Sequence, residues 1–215
     1  MLDVHAPHGA GHGWKDFLFH MAAIACGLLL ALALEKGAEY VHERHLLSDS
    51  RRELAAELED NRRVWEKNEN EASRIRTALE ADVRIIRALR SRAAPDGNLD
   101  YSNNFYATLD GAWQSVQQNG SLTLMPHDEL SNQAWFYRML RDQLDSQLSL
   151  ISTMKIARAW AATVPPEKLD SQELEALEHR TIEAQGQLDV LTMFLKIEDD
   201  GLKDLAHATR SRKSR

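Results

Sequence analysis

An uninterrupted apolar run at residues 17–34 constrains this chain more than any other feature of its sequence. The run reads FLFHMAAIACGLLLALAL and contains no charged residue. As an α-helix, eighteen residues are about 27 Å long, close to the roughly 30 Å hydrocarbon thickness of a bilayer. Trp14 before the run and Tyr40 after it are residue types that favour the two membrane–water interfaces. We therefore predict a transmembrane helix over residues 17–34, preceded by a flexible tail over residues 1–16.

Two other interpretations of the run remain open. A cleaved secretory signal has an apolar region of about 7 to 15 residues and a small-x-small cleavage site. This run is longer, and its exit at residues 34–37 (LEKG) matches such a site only loosely, through Ala31 and Ala33. A buried helix of a soluble domain is the third interpretation. Length and flanks favour the uncleaved single-span anchor.

The orientation of this anchor rests on two opposed arguments. Lys15 precedes the run, whereas four basic residues follow it closely, and this bias alone would place the bulk of the chain in the cytoplasm. An early apolar segment that acts as an uncleaved signal more commonly exports the chain behind it. We give the second argument more weight and expect a single-pass protein of a bacterial inner membrane with its bulk in the periplasm.

A long amphipathic helix is expected directly after the apolar run. Neither glycine nor proline occurs in residues 38–94, so nothing local stops a helix there. We assign the helix to residues 35–92. Its apolar stripe includes Leu47, Leu54, Leu58, Trp65, Ala72, Ile75, Leu79, Val83 and Ile86.

The polar residues within this stripe allow two interpretations. A strict spacing of three and four residues places Asn61, Asn68 and Asp82 in the seam, and a buried asparagine specifies register in some coiled coils. Alternatively, the stripe has an ordinary helical period and is weak in its first half. We favour the second interpretation, in which these polar residues are not part of a packed seam.

Turn signals divide the rest of the chain into helices. Residues 93–98 (AAPDGN) end the long helix, and a short helix is expected at about residues 102–119, ended by Asn119-Gly120 in a left-handed turn. Pro126 opens a helix at about residues 126–163. The short helix is indicated by the helical spacing of Phe105, Leu109, Trp113 and Val116.

A final helix is expected at about residues 167–207, before a basic tail at residues 210–215. Asp170 and Glu173 have the spacing of a capping box at its start. Such amphipathic segments must bury their stripes against each other, so residues 93–209 are predicted to form an antiparallel helical bundle. The predicted fold class is all-α, with one transmembrane helix continuing into a long helix that precedes this bundle.

Histidines near the apolar run are candidate ligands for a metal or a pigment. His20 lies at the shallow end of the run, where an ionisable group is a functional candidate. His42 and His45 share one helix face with Glu39, an arrangement that resembles half of a metal site. His5, His8 and His12 are spaced as H-x-x-H-x-x-x-H, but their glycine-rich surroundings offer no fixed geometry. Hydration, in the tail or near the membrane interface, is the better interpretation of these histidines, and we predict neither a metal site nor a cofactor.

Ala23, Gly27 and Ala31 form a small-residue face on the apolar run. Their spacing of four residues lets a second transmembrane helix approach closely. The lipid bilayer and other membrane-protein subunits, or a second copy of the chain, are therefore the expected partners.

Catalysis and nucleic-acid binding are not indicated. The sequence contains no phosphate-binding glycine loop, no G-x-S-x-G motif and no dinucleotide fingerprint, so we expect no enzyme. The net charge of −7 argues against a nucleic-acid partner. Cys26 is the single cysteine, which excludes an intrachain disulfide.

Two stretches of sequence resemble a group of uncharacterised bacterial single-span membrane proteins. The first comprises WKDFLxH at residues 14–20, GLLxALxLE at 27–35 and EYxHxRH at 39–45. The second comprises AWQS at residues 112–115 and GSLxLxP at 120–126, followed by Leu130 and Tyr137. The resemblance implies a short histidine-containing tail, one anchor and a helical C-terminal domain. It implies no activity, because the group has none established.

Docking on, or scaffolding of, a larger membrane complex is the function that the sequence favours. One span, long helices and the lack of a catalytic motif motivate this prediction. The alternatives are a helical ligand-sensing module at the membrane surface and an accessory subunit of a redox or photosynthetic complex. Trp113, on the short helix, is expected to pack as a plug between the long helices.

Overall fold

The computed structural model of the chain describes residues 13–213, except the side chains of residues 198–200 and 202–213. It is all-helical, and the described residues contain no β-strand. The chain divides into two compact units, Met1–Asp49 and Ser50–Arg215. Residues 13–213 form four α-helices, which are α1 (Trp14–Arg90), α2 (Gly111–Gln118), α3 (His127–Thr163) and α4 (Ser171–Lys213).

Helix α1 is 77 residues long and ends where the sequence first offers a breaker. Arg92 has a φ of 58°, in the left-handed region. The Ala93 N–H donates to the Ala88 carbonyl at 2.8 Å, and the Arg92 N–H donates to the Leu89 carbonyl at 3.0 Å. These two bonds form a Schellman motif in which an arginine, not a glycine, occupies the left-handed position.

The buried residues of α1 after residue 49 follow the strict spacing of three and four. Asn61 and Asn68 are 0% exposed and Asp82 is 1% exposed. The interpretation that left these three residues outside a packed seam is therefore wrong. The seam tolerates polar side chains because each of them is hydrogen-bonded to the backbone of another segment.

Helices α3 and α4 pack against each other and supply much of the remaining core, to which Tyr101, Trp113, Val116 and Met125 also contribute. The predicted capping box is confirmed: the Glu173 N–H donates to Asp170 Oδ1 at 2.8 Å, and the Asp170 N–H donates to Glu173 Oε2 at 2.9 Å. The predicted end of α3 before Pro165-Pro166 is also confirmed. The largest side chains fully buried on α3 and α4 are Phe136, Gln143, Leu150, Met154, Leu177, Leu188, Leu191 and Leu195.

Ion pairs join α1 to α4. Arg76 of α1 contacts Asp189, and Arg87 and Arg90 both contact Glu178. Residue numbers rise along α1 while they fall along α4 at these contacts, so the two helices run in opposite directions there.

The predicted short helix at residues 102–119 is wrong in its first half, because residues 98–110 form no helix and α2 begins only at Gly111. We call residues 98–110 the return segment. The predicted stop after the helix is confirmed, since Gly120 has a φ of 83°. A 3₁₀ turn, Ser121–Leu124, then leads to α3.

Candidate functional site

The first candidate site is the apolar surface of α1 within the unit that ends at Asp49. An 18-residue window of this helix has a mean hydropathy of 2.4, and none of the window is buried in the structure. Phe19 is 74% exposed and Leu29 is 66% exposed. Each large apolar side chain left in water costs about 1.5 to 3 kcal/mol relative to burial. This helix is long and apolar enough to cross a membrane.

The two predicted interface residues are exposed on this helix. Trp14 is 71% exposed and stacks on Phe17 with ring centroids 5.4 Å apart. Tyr40 is 59% exposed, and the Arg44 guanidinium lies over its ring, 5.8 Å from the centroid. Their amphipathic rings suit a membrane–water boundary, which remains a prediction for both positions.

The small-residue face of this helix is open. Ala23, Gly27 and Ala31 are all exposed. A Cβ atom added at Gly27 would meet no heavy atom within 4 Å. Close approach of a second helix to this face is therefore sterically possible, and packing there remains a prediction.

The histidines of α1 do not form one site. His20 Nδ1 lies 2.7 Å from the Asp16 carbonyl oxygen, to which an Nδ1–H donates. His42 and His45 are exposed, and their neighbour Glu39 is paired with Lys36. His20 and His42 are separated along the helix by about 33 Å at 1.5 Å per residue. No group of three or more potential metal ligands occurs among the residues described, whereas His5, His8 and His12 lie outside them.

The second candidate site is a row of polar side chains on α1 that binds the backbone of the return segment and of the first turn of α2. We call this row the clasp. Its members accept hydrogen bonds from backbone N–H groups, and the two asparagines also donate to backbone carbonyl groups. The clasp consists of Glu57, Asn61, Asn68, Glu71 and Asp82.

The two asparagines bind the segment in the same way. Asn68 donates to the Tyr106 carbonyl at 2.9 Å and accepts from the Tyr106 N–H at 2.9 Å. Asn61 donates to the Leu109 carbonyl at 2.8 Å and accepts from the Leu109 N–H at 2.7 Å. Seven helical residues rise about 10.5 Å and three extended residues span about 10 Å, so one heptad of α1 matches three residues of the segment.

Glu57 closes one end of the clasp. Its Oε2 accepts from the Ala112 N–H at 2.7 Å, at the N-terminus of α2, where a negative charge is favourable. Its Oε1 accepts from the Tyr137 hydroxyl at 2.7 Å, and burial raises the pKa of Tyr137. Trp113 stacks on the Tyr137 ring with centroids 5.0 Å apart and is only 6% exposed. The expected burial of Trp113 is therefore confirmed, and its contact with α3 is seen, whereas packing between two long helices stays a prediction.

Asp82 lies toward the other end of the clasp, nearest the end of α1. Its Oδ1 accepts from the Asp100 N–H at 2.8 Å, and burial raises its pKa to about 6. Beside it, the Tyr101 hydroxyl is 2.8 Å from Thr181 Oγ1 of α4, and burial raises the pKa of Tyr101. Asp100 itself faces Arg74, and a hydrogen bond from Ser102 is the main cause that lowers the pKa of Asp100.

A cleft of about 350 Å³ adjoins this end of the clasp. Asp100 and Tyr101 line it together with the ends of α1 and α3. Apolar side chains such as Ile85 and Leu99 and charged ones such as Arg158 and Glu167 share its surface. The cleft therefore has room for a small molecule with both apolar and polar groups.

Sequence reasoning named none of the clasp residues as a site. The signal was present, since Asn61, Asn68 and Asp82 stand where the three-and-four spacing requires buried residues. Glu57 and Glu71 carry no comparable signal, because acids on a long helix are normally solvated.

Comparisons with known proteins give no relative. No protein-family model matches the chain, and no significant match was found among curated proteins or solved structures. The resemblance to single-span membrane proteins thus remains a prediction.

Proposed function

We propose that this chain is a non-enzymatic, single-pass membrane protein whose helical body docks on, or scaffolds, a larger membrane complex. The observation that supports the proposal is the wholly exposed apolar window of α1. Lipid can cover such a surface without leaving backbone N–H and C=O groups unsatisfied, because a helix makes its own backbone hydrogen bonds.

The finer architecture belongs to the same proposal. The helical body is an antiparallel bundle in which α4 runs against α1 and α3, and the clasped return segment leads from α1 back to α2. The ion pairs between α1 and α4 support this arrangement. Its bulk lies in the periplasm of a bacterial inner membrane.

Membrane anchoring is tested by paired arginine substitutions. Leu28→Arg with Leu29→Arg places two charges in the window at exposed positions, and arginine is as good a helix former as leucine. Each charge at the centre of a span costs about 2.5 to 3.5 kcal/mol, so the chain should leave the membrane fraction on alkaline extraction. Ala38→Arg with Val41→Arg is the matched control after the window and should stay in the membrane. Release of the unmodified chain by alkaline extraction would disprove the anchor.

Docking is tested by photocrosslinking within the native membrane. A photoreactive residue at Gly27 should form one discrete adduct with a partner subunit, whereas the same residue at Leu29, on the other side of the helix, should mark lipid. Equal labelling from both positions would count against the small-residue face. A reporter fused after Arg215 tests the orientation, and activity only in the cytoplasm would overturn the periplasmic assignment.

Ligand sensing is the second candidate function, and the cleft beside Asp100 and Tyr101 favours it. Gentle purification from native membranes with mass spectrometry separates the two functions. A stoichiometric protein partner supports docking, and a bound metabolite without such a partner supports sensing.

A further inference from the structure

Asp82 is the most exceptional member of the clasp, because it is a carboxyl group in the core with half of its acceptors unused. Asp82 is 1% exposed. Its Oδ1 accepts the Asp100 N–H, whereas its Oδ2 has no hydrogen-bond partner within the described part of the chain. A buried charge with an unpartnered oxygen is costly, and opening of the contact would hydrate it.

The charged groups around Asp82 do not compensate this charge. The Asp100 carboxyl, on the return segment, acts on it with the same sign. Arg74 of α1 is held by Glu71 and Asp100.

Two cations near the end of α1 are engaged by another carboxylate. Arg87 and Arg90 of α1 are paired with Glu178 of α4. Arg158 of α3 lines the cleft, and Tyr101 on the return segment is hydrogen-bonded to Thr181 of α4. Asp82 therefore has no cation among its hydrogen-bond partners.

We propose that Asp82 is a pH-operated latch, which holds residues 98–102 against α1 while its carboxyl is neutral and releases them when it ionises. In the neutral form Oδ1 still accepts the Asp100 N–H, and no charge is buried. In the ionised form the closed latch buries a charge beside the Asp100 carboxylate. Release hydrates the Asp82 carboxylate, whereas the Asp100 carboxylate is exposed already, so closing takes up a proton and opening gives it to water.

The direction and size of the effect follow from linkage. Burial raises the pKa of Asp82 from 3.8 to about 6, and Asp100 adds to the rise. Because the pKa of the carboxyl is raised in the closed form, the closed form is favoured at low pH, and its population decreases as pH rises from about 4 to about 6. With these two pKa values, the ratio of open to closed latch rises roughly 30-fold between pH 4 and pH 6 and roughly 60-fold between pH 4 and pH 7.5, and it is nearly level above about pH 7.

The Asp100 amide proton reports the latch directly, because its hydrogen bond is the latch. Hydrogen exchange is followed by NMR on the full chain in detergent micelles, with ¹⁵N-labelled aspartate, asparagine, tyrosine and leucine. After correction for the intrinsic exchange rate, protection of the Asp100 amide should fall several tens of fold from pH 4 to pH 6. Protection of the Tyr106 and Leu109 amides should not follow it, because asparagines that do not titrate hold them.

Two variants complete the test. In Asp82→Asn the pH dependence of the Asp100 amide should vanish. In Asp100→Asn the latch remains, but the neighbouring charge that helps to raise the pKa of Asp82 is lost. Protection of the amide of residue 100 should therefore fall by a smaller factor and level off at a lower pH. The proposal is overturned if protection of the Asp100 amide does not change with pH in the unmodified chain. It is also overturned if protection falls as much in Asp82→Asn as in the unmodified chain. It is equally overturned if all three amides lose protection together, and this comparison stands even if a variant does not fold.

Discussion

Replacing Asn68 by aspartate tests whether the clasp recognises backbone through its amide groups. Asn68 is fully buried and makes one donor and one acceptor bond with Tyr106. Aspartate keeps the acceptor but places a second oxygen against the Tyr106 carbonyl. Loss of the bond costs about 1 kcal/mol, and burial of an unpaired polar group adds about 1 to 3 kcal/mol. We expect Asn68→Asp to lower the free energy of unfolding by about 2 to 4 kcal/mol at pH 7.5.

Most of this loss should be recovered at low pH. A neutral aspartic acid can donate its O–H to the Tyr106 carbonyl, so the folded chain favours the protonated form and the side chain's pKa is raised. Stability lost through a raised carboxyl pKa returns as pH falls through that value. The assay is urea unfolding of the full chain in detergent micelles at pH 7.5 and pH 4.5, with the unmodified chain measured beside it.

Asn70→Asp is the matched control for this substitution. Asn70 lies on the same helix, is exposed and donates only to the Glu66 carbonyl of its own helix. Its replacement should change the free energy of unfolding by no more than about 0.5 kcal/mol at either pH. If the two aspartate variants are equally stable at both pH values, the clasp contributes nothing and the reasoning is refuted.

Three further substitutions test other parts of the fold by chemical unfolding. Arg92→Gly should raise the free energy of unfolding by about 0.5 to 1 kcal/mol, because glycine adopts the left-handed conformation without strain, whereas Ser91→Gly, beside it, should give no gain. Gly186→Ala should stabilise α4 by about 1 kcal/mol, since a Cβ there meets nothing within 4 Å, and a loss would indicate a contact outside this chain. Trp113→Ala should cost about 3 to 5 kcal/mol through the cavity left beside Tyr137, and a cost below about 1 kcal/mol would contradict the plug.

Helix positions were predictable because their signals are local. The capping box at Asp170 and Glu173, the Pro165-Pro166 stop and the absence of glycine and proline from residues 38–94 each act within a few residues of the boundary that they define. The exposed apolar window was equally predictable, since length and composition alone define it.

The return segment was mispredicted because its structure is decided at a distance. Phe105 and Leu109 continue the helical spacing of Trp113, and nothing in their neighbourhood forbids a helix. The competing bonds come from Asn61 and Asn68, which lie 48 and 38 residues earlier in the chain. A reading of local periodicity cannot weigh such bonds against a helical ladder.

The clasp itself was only half predictable. The seam spacing drew attention to Asn61, Asn68 and Asp82, but spacing cannot tell a buried polar residue with a partner from an interruption of the stripe. The partner is the return segment, where the peptide groups of Leu109, Tyr106 and Asp100 bind these three side chains. Its backbone, and not its side chains, completes the bonds.

The clasp also determines which substitutions and insertions this protein can tolerate during evolution. Since Asn61 and Asn68 bind the peptide groups of Leu109 and Tyr106, whose side chains are exposed, these two positions of the return segment are free to change in identity while the two asparagines are not. Insertions are a different matter. Adding or deleting one residue between Tyr106 and Leu109 would break the match of one heptad to three extended residues. The length of this stretch should therefore be fixed even where its residue identities vary.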